Sequence, residues 1–243
     1  MKGTIYGIGV GPGDPELMTL KACRLIEESD VIAVPGKVPE ESAAYRIAAA
    51  AVPALSQKVC LGVDMPMVRD KETRSAAHHA AARRLEEILD AGKNIAYLTL
   101  GDVTLYCTFS YLQHLLEADG YAVRLVSGIT SVSAAAARLN RPLAEWNEEL
   151  HIIPGAHTMK ETLTEKGTCV IMKSGSRMKE IKALLEESGK DVCAVENCGM
   201  EGEKVYESCA QIPDNAGYFS LIIAKDPVHE EEAARPQTAE MCV

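Results

Sequence analysis

Three short stretches of this 243-residue chain have the composition of ligand loops. The first is Gly7-Ile8-Gly9-Val10-Gly11-Pro12-Gly13-Asp14-Pro15, with Leu17, Thr19 and Leu20 close behind. The second is Leu100-Gly101-Asp102-Val103-Thr104-Leu105-Tyr106, and the third is Ser127-Gly128-Ile129-Thr130-Ser131. Glycine lets a backbone approach a ligand closely, proline removes a donor, and a carboxylate can receive hydroxyl or ammonium groups. The first stretch holds glycines at dinucleotide-fingerprint spacing, but Pro12 and Asp14 stand where donors for a pyrophosphate are needed. An aspartate at a helix start repels phosphate and satisfies the orphan amides itself. A G-x-x-x-x-G-K-[ST] loop is absent, which excludes a phosphate-binding NTPase on motif grounds. Taken singly, Asp102 serves equally well as a helix cap, and Thr130 or Ser131 as an ordinary helix start. As a set, the loops suit a small molecule lacking a large phosphate group.

The surrounding periodicity supplies elements to hold them. Gly3 to Ile8 reads as a strand and Glu16 to Ile26 as a helix. Strand Val31–Val34, a polar loop Lys37–Glu41, an alanine-rich helix Glu41–Ala51 and a short strand Val59–Val63 follow. After a break at Asp64–Met67 the spacing predicts a helix over Lys71–Ala91, a buried strand Asn94–Leu100, a helix Leu105–Glu117, a strand Ala122–Val126 and a helix Val132–Leu139. Each ligand-type loop therefore joins a strand to a helix, and alternating strands and helices imply a parallel sheet whose strand ends gather the loops at one edge. Asn140 to Glu149, with the lone tryptophan, reads as a connection. Strands at Leu150–Ile153, Thr168–Met172, Asp191–Val195, Lys204–Tyr206 and Phe219–Ala224, a helix over Met178–Ser188, and a hairpin turn at Glu201–Lys204 predict a second α/β domain with a mixed sheet. The expected division is 1–128, 129–226, and a flexible tail over 227–243.

The formal net charge of −10 argues against a nucleic-acid binder that relies on a broad basic face. No apolar run approaches the roughly 18 to 20 residues of a membrane helix, and the start lacks a signal-peptide pattern, so a cytoplasmic protein without membrane contact is expected. The eight cysteines form no C-x-x-C pair and mostly sit in apolar segments. They read as reduced, buried small hydrophobes, and no metal site is expected. His78 and His79 are adjacent on a helix, point apart, and read as surface residues.

The three loops in this order, together with Met172 at the end of a strand, resemble the tetrapyrrole methylases, the class III S-adenosylmethionine-dependent methyltransferases, from residue 1 to about 225. Gly13-Asp14-Pro15-Glu16-Leu17-Met18-Thr19-Leu20-Lys21-Ala22, Glu41-Ser42-Ala43-Ala44-Tyr45-Arg46-Ile47-Ala48 and Thr99 to Leu112 are most similar to the branch that methylates carbon 20 of precorrin-2 or its cobalt-bearing counterpart, a step of cobalamin synthesis. The resemblance implies a homodimer of two α/β domains with S-adenosylmethionine in the cleft between them. By that likeness Pro12, Leu100, Gly101, Asp102, Leu105, Thr130, Ser131, Met172, and a backbone patch at Ser220 and Leu221 contact the cofactor. The family often places proline after the glycine-aspartate pair; Val103 stands there in this chain.

Transfer of an activated methyl group to an electron-rich ring carbon needs positioning first, then removal of a proton. Asp102, Tyr106, Tyr111 and His114 lie near enough in sequence to be proton acceptors, and no pattern separates them; Asp102 and Tyr106 are the catalytic candidates. The substrate carries many carboxylates, so local cations are expected to meet it. Lys37, Arg46 and Arg69 are the candidate contacts, with Lys71 and Arg74 beside them. The alternatives are another corrin-ring or uroporphyrinogen methylase of the same fold, and a protein that binds a tetrapyrrole without turnover.

Overall fold

The computed structural model describes residues 1–66, 68, 70–155, 159–174 and 177–227. In chain order the elements are β1 (Thr4–Gly9), α1 (Leu20–Glu28), β2 (Val31–Pro35), α2 (Ala43–Ala51), β3 (Val59–Val63), α3 (Lys71–Asp90), β4 (Ile95–Thr99), α4 (Phe109–Ala118), β5 (Ala122–Val126) and α5 (Ser131–Arg138). Then follow β6 (Leu150–Pro154), α6 (Met159–Thr162), β7 (Thr168–Met172), α7 (Met178–Ser188), β8 (Asp191–Glu196), β9 (Lys204–Tyr206) and β10 (Ser220–Lys225). Contacts divide the described residues into two compact units: Met1–Ala135 with Asn197–Glu203, and Ala136–Glu196 with the chain from Lys204 onward. The tail expected over 227–243 lies, after Pro227, outside the described residues.

In the first unit five parallel strands run in the order β3-β2-β4-β1-β5. All five residues of β4 are buried, the continuous apolar reading of a strand covered on both faces. Alternation sends Ile95 and Tyr97 to one face, with α3 and α4 through Ala82, Leu85, Phe109 and Leu112. Ala96 and Leu98 go to the other face, with α1 and α2 through Leu25, Ile26, Ile47 and Ala48. The connection leaving β1 therefore covers one face and that leaving β4 the other, although the two strands are neighbours. Such a switch point opens a crevice at the carboxyl ends of the strands, where ligands bind in open α/β sheets.

Three helices start later than the spacing suggests, α2 by two residues, after a 3-10 turn at Pro39–Glu41. Asp14 accepts a hydrogen bond from the Glu16 N–H (2.9 Å), closing a short 3-10 turn at Pro15–Leu17, and Thr19 then caps α1 by accepting from Ala22 N–H (3.2 Å). α4 starts at Phe109, because Tyr106 takes φ = +51° and interrupts helical geometry after Leu105. The short helix α6 was not evident in the sequence.

The second unit carries a mixed sheet in the order β6-β7-β10-β8-β9: β6 and β7 are parallel, β10 is antiparallel to both neighbours, and β8–β9 is a hairpin. Its turn closes through Glu203 N–H to the Met200 carbonyl (3.2 Å), with Gly202 at φ = +77°. Ile171, Ala194, Ile222, Ile181 and Leu185 form its core. Lys190 ties the end of this sheet by donating to the Glu165 and Gly167 carbonyls (3.0 Å each) and pairing with Asp226. The seven described cysteines are free thiols. No helix among the described residues is long and apolar enough to cross a membrane.

Gly7 shows how tightly the first sheet is packed. A Cβ there would stand 2.3 Å from the ring of Phe109, itself fully buried against Tyr97. Gly7→Ala is expected to destabilise the protein by about 1–3 kcal/mol through overpacking. Phe109→Leu in the same chain should recover part of that loss, measured as a double-mutant cycle by urea unfolding.

Candidate functional site

The three loops meet at the carboxyl edge of the first sheet. Gly11 and Gly101 form an isolated antiparallel bridge, Gly101 N–H donating to the Gly11 carbonyl (2.8 Å) and Gly11 N–H to the Gly101 carbonyl (3.2 Å). A Cβ on Gly9 would lie 2.6 Å from the Gly101 oxygen and 2.8 Å from the Gly128 nitrogen. One on Gly128 would lie 2.4 Å from the Gly101 oxygen. All these neighbours are backbone, so three loops cross where no side chain fits.

Asp102 fastens the crossing. It is 7% exposed; its Oδ2 accepts from the Gly128 N–H (2.8 Å), and its Oδ1 accepts from the Thr104 N–H (2.7 Å) and the Thr104 hydroxyl. Burial pushes the carboxyl up, but the hydrogen bonds from the Thr104 hydroxyl and N–H and from Gly128 outweigh it and hold the group below the ordinary aspartate value. Asp102 therefore clasps the second loop to the third while closing its own turn through Thr104. Val103, in place of the frequent proline, is buried in the core shared with α3 and α4. Beyond it the Cys107 thiol lies 3.0 Å from the Thr99 hydroxyl and accepts from Phe109 N–H (3.4 Å), turning the loop into α4.

Gly101, at φ = +72°, has a different character: a Cβ there would find nothing nearer than the Ser131 nitrogen, at 3.8 Å. The missing side chain leaves room in front of the α5 N-terminus. There Thr130 is the cap, its hydroxyl accepting from Ser133 N–H (3.1 Å), while the first-turn amides of α5 have no intrahelical acceptor. Pro12 is buried, Leu100 and Leu105 are half-buried, and Thr130 and Ser131 are partly exposed. The first unit thus brings together Pro12, Leu100, Gly101, Asp102, Leu105, Thr130 and Ser131. The loop Asn197–Glu203, also of this unit, packs on Gly13 and Asp14: a Cβ on Gly13 would lie 2.4 Å from the Cys198 oxygen. The sequence signals this segment only as the hairpin turn at Glu201–Lys204, not as a support for the first loop.

In the second unit Met172 ends β7, and its carbonyl accepts from Gly155 N–H (2.7 Å). Ser220 and Leu221 open β10 opposite Glu196 and Val195 at the same edge of that sheet, both buried. Of the other proton-acceptor candidates, Tyr106 is 41% exposed, Tyr111 is half-exposed with its ring stacked on His78 (4.9 Å), and His114 is exposed. Burial, then Arg74 and His79, lower the pKa of His78. Lys37, in the loop after β2, stands 3.4 Å from Asp64 in the loop after β3, and Arg46 is exposed in the first turns of α2. Arg69 lies outside the described residues. Among the described residues no cluster of three or more His, Cys, Asp or Glu is placed to hold a metal.

A parallel sheet with glycine loops at its switch point, followed by a mixed-sheet unit, defines a two-part α/β ligand-binding protein whose loops suit a small ligand without a pyrophosphate. The sequence profile of the Tetrapyrrole (Corrin/Porphyrin) Methylases matches residues 4–212, and the chain belongs to that family. It is 36% identical over 202 residues to the probable cobalt-precorrin-2 C(20)-methyltransferase of Methanocaldococcus jannaschii, covering 83% of this chain and 85% of that one. It is 30% identical over 232 residues to the cobalt-precorrin-2 C(20)-methyltransferase of Salmonella typhimurium, covering 92% and 96%. In fold it is similar to the uroporphyrin-III C-methyl transferase of Thermus thermophilus solved with S-adenosyl homocysteine, with a TM-score of 0.69, 21% identity, and coverage of 92% and 97%.

The clasp gives a pH-dependent expectation. A carboxyl held below its unfolded pKa adds stability above that pKa, and the contribution is lost as pH falls through the folded value. Asp102→Asn, which turns an amide toward the Gly128 or Thr104 donors, should be less stable by about 1–3 kcal/mol near neutrality. The gap should narrow as pH drops below about 4. Urea unfolding of both proteins across pH checks this; a gap that does not change with pH places the loss elsewhere.

Proposed function

We propose that this chain methylates carbon 20 of precorrin-2 or of its cobalt-bearing counterpart in cobalamin biosynthesis, with S-adenosylmethionine as donor. The observation that carries the reading is the likeness, along nearly the whole of both chains, to relatives named for C20 methylation. The crossing of Gly9, Gly101 and Gly128 fits it: the cofactor needs no phosphate cradle, and the open side of Gly101 leaves space beside the α5 N-terminus.

When bound, S-adenosylmethionine supplies a methyl group already activated on a sulfonium. What remains for the protein is to hold donor and acceptor carbon in line, which converts an improbable encounter into a favourable geometry. Pro12, Leu100, Gly101, Asp102, Leu105, Thr130 and Ser131 are assigned to the cofactor, and the resemblance adds Met172 and the Ser220–Leu221 backbone. Asp102 contributes by holding its own loop against the third. A carboxylate already accepting three hydrogen bonds and lowered in pKa is a weak base, which favours holding the loops over proton acceptance at Asp102. Lys37 and Arg46, at the same strand-end edge, are assigned to substrate carboxylates, and Arg69 is assigned with them from the sequence. The working form is taken to be a cytoplasmic homodimer, as the resemblance implies, and sedimentation gives its mass.

Incubation with S-adenosylmethionine labelled in its methyl group, in parallel with precorrin-2 and with cobalt-factor II, tests the activity. NMR should place the label on carbon 20, and label at another ring carbon overturns the assignment. Tight pigment binding without labelled product would instead make this a binding protein. Gly101→Ala should weaken S-adenosylhomocysteine binding by at least about tenfold, because the new methyl group is strained at positive φ and fills the open space. Arg46→Glu should raise the KM for the tetrapyrrole several-fold and leave that for S-adenosylmethionine unchanged, with a larger effect at low salt.

A further inference from the structure

The first half of α3 has no core to serve. The helix has 20 residues, about 30 Å of rise, whereas the five-residue strand β4 that it packs on spans about 17 Å. The α3 residues buried in the core, Ala81, Ala82, Leu85 and Leu89, all belong to its second half. Because α3 leaves the carboxyl end of β3, its first ten residues run out past the strand ends, on the edge where the three loops lie. In this overhang Arg74 and His78, one turn apart, are half-buried among mostly exposed neighbours. The His78 ring stacks on that of Tyr111 (4.9 Å between centroids, 27° between planes), in the first turn of α4 and so directly beyond the second loop. Tyr111 is itself 52% exposed, which leaves the pair open to one side. Burial, Arg74 and His79 keep the imidazole neutral near pH 7, as a flat stacking ring.

The Arg74 guanidinium is steadied by the Val68 carbonyl (3.2 Å), and among the described residues no carboxylate pairs with it. Asp70, which feels its charge, is occupied in capping α3 through the Thr73 N–H (2.7 Å). Packing of α3 on α4 is already provided by Leu85, Phe109 and Leu112 and does not require these residue types. A half-buried cation without an acid, beside an open aromatic pair, is the composition of a recognition surface. The rings offer a face to flat apolar matter, and a guanidinium meets a carboxylate through two parallel hydrogen bonds. We infer that Arg74, His78 and Tyr111 form a binding wall for the tetrapyrrole at this edge, the ring pair lying against the macrocycle and Arg74 taking one of its carboxylates; the inference rests on the substrate reading above. His78, which the sequence marks only as a surface residue, thereby gains a role.

The experiment reads the Kd for cobalt-factor II by absorbance titration and that for S-adenosylhomocysteine by calorimetry. Arg74→Gln should weaken cobalt-factor II binding about tenfold and leave S-adenosylhomocysteine within about twofold of wild type. Lysine keeps the charge without the two-pronged geometry, so Arg74→Lys should recover only part of the loss. Tyr111→Ala should weaken cobalt-factor II several-fold, and Tyr111→Phe, which keeps the ring, should bind as wild type does. Arg83→Gln removes the same charge from an exposed position in the second half of α3 and should change neither affinity. A loss there equal to that of Arg74→Gln makes the effect one of net charge and overturns the inference. Weakening of both ligands together in Arg74→Gln marks a structural brace and overturns it too. Should Tyr111→Ala fail to fold, Arg74→Gln against Arg83→Gln decides. Wild-type affinity for cobalt-factor II in Arg74→Gln overturns the wall and leaves the methylase reading standing. A wild-type protein that binds neither precorrin-2 nor cobalt-factor II overturns that reading and the inference with it.

Discussion

At the carboxyl edge of the first sheet the backbones of Gly9, Gly101 and Gly128 pass so closely that a methyl group on Gly9 or Gly128 would clash with its neighbours. Neighbouring strands β1 and β4 send their connections to opposite faces, and β5 lies on the far side of β1, so all three loops converge there. Convergence alone would leave backbone donors facing one another in a dry place. Asp102 resolves this by accepting from its own loop through Thr104 and from the third loop through Gly128. The Gly11–Gly101 bridge joins the first loop to the second through paired amides. The site is therefore assembled from the main chain, with side chains acting mainly as fasteners.

Such an assembly suits a reaction whose difficulty lies in placement. A main-chain surface held by buried hydrogen bonds loses little freedom when a ligand arrives, so less of the binding energy is spent on ordering the site. The two buried carboxylates, Asp102 and Glu196, have the same form. Each divides its oxygens between two separate segments, so both oxygens are engaged within the fold.

The alternation of strands and helices, the parallel first sheet, the mixed second sheet and its hairpin were legible because burial imposes period-two and helical spacing on the sequence. The start of α1 was displaced because Asp14-Pro15 and Thr19 offer two successive caps, and spacing does not say which one the main helix uses. Leu105 was read into α4 because its apolar character fits helical spacing, whereas the left-handed turn at Tyr106 is set by tertiary packing. The glycines announced a ligand loop, but not that Gly9 and Gly128 are required by each other. That reciprocity belongs to residues more than a hundred positions apart. Glu196 was invisible for the same reason: its partners Tyr206 and Gly217 are ordinary residues until the sheet brings them to one carboxylate.

Charge provides a further constraint. In the second unit of this acidic chain Arg141, Arg177, Lys182, Lys190 and Lys225 are all engaged in ion pairs. Lys182, Lys190 and Lys225 are also largely buried, so their charge is spent on the fold. In the first unit the situation differs at the strand-end edge. Lys37 is 78% exposed and only loosely paired with Asp64, and Arg46 has no ion-pair partner among the described residues. Exposed charges act over roughly a Debye length, about 8 Å at physiological salt, so distant surface acids are screened while cations at the loop edge are felt. The net charge of the whole chain therefore does not set the local balance at that edge, where Lys37 and Arg46 stand exposed.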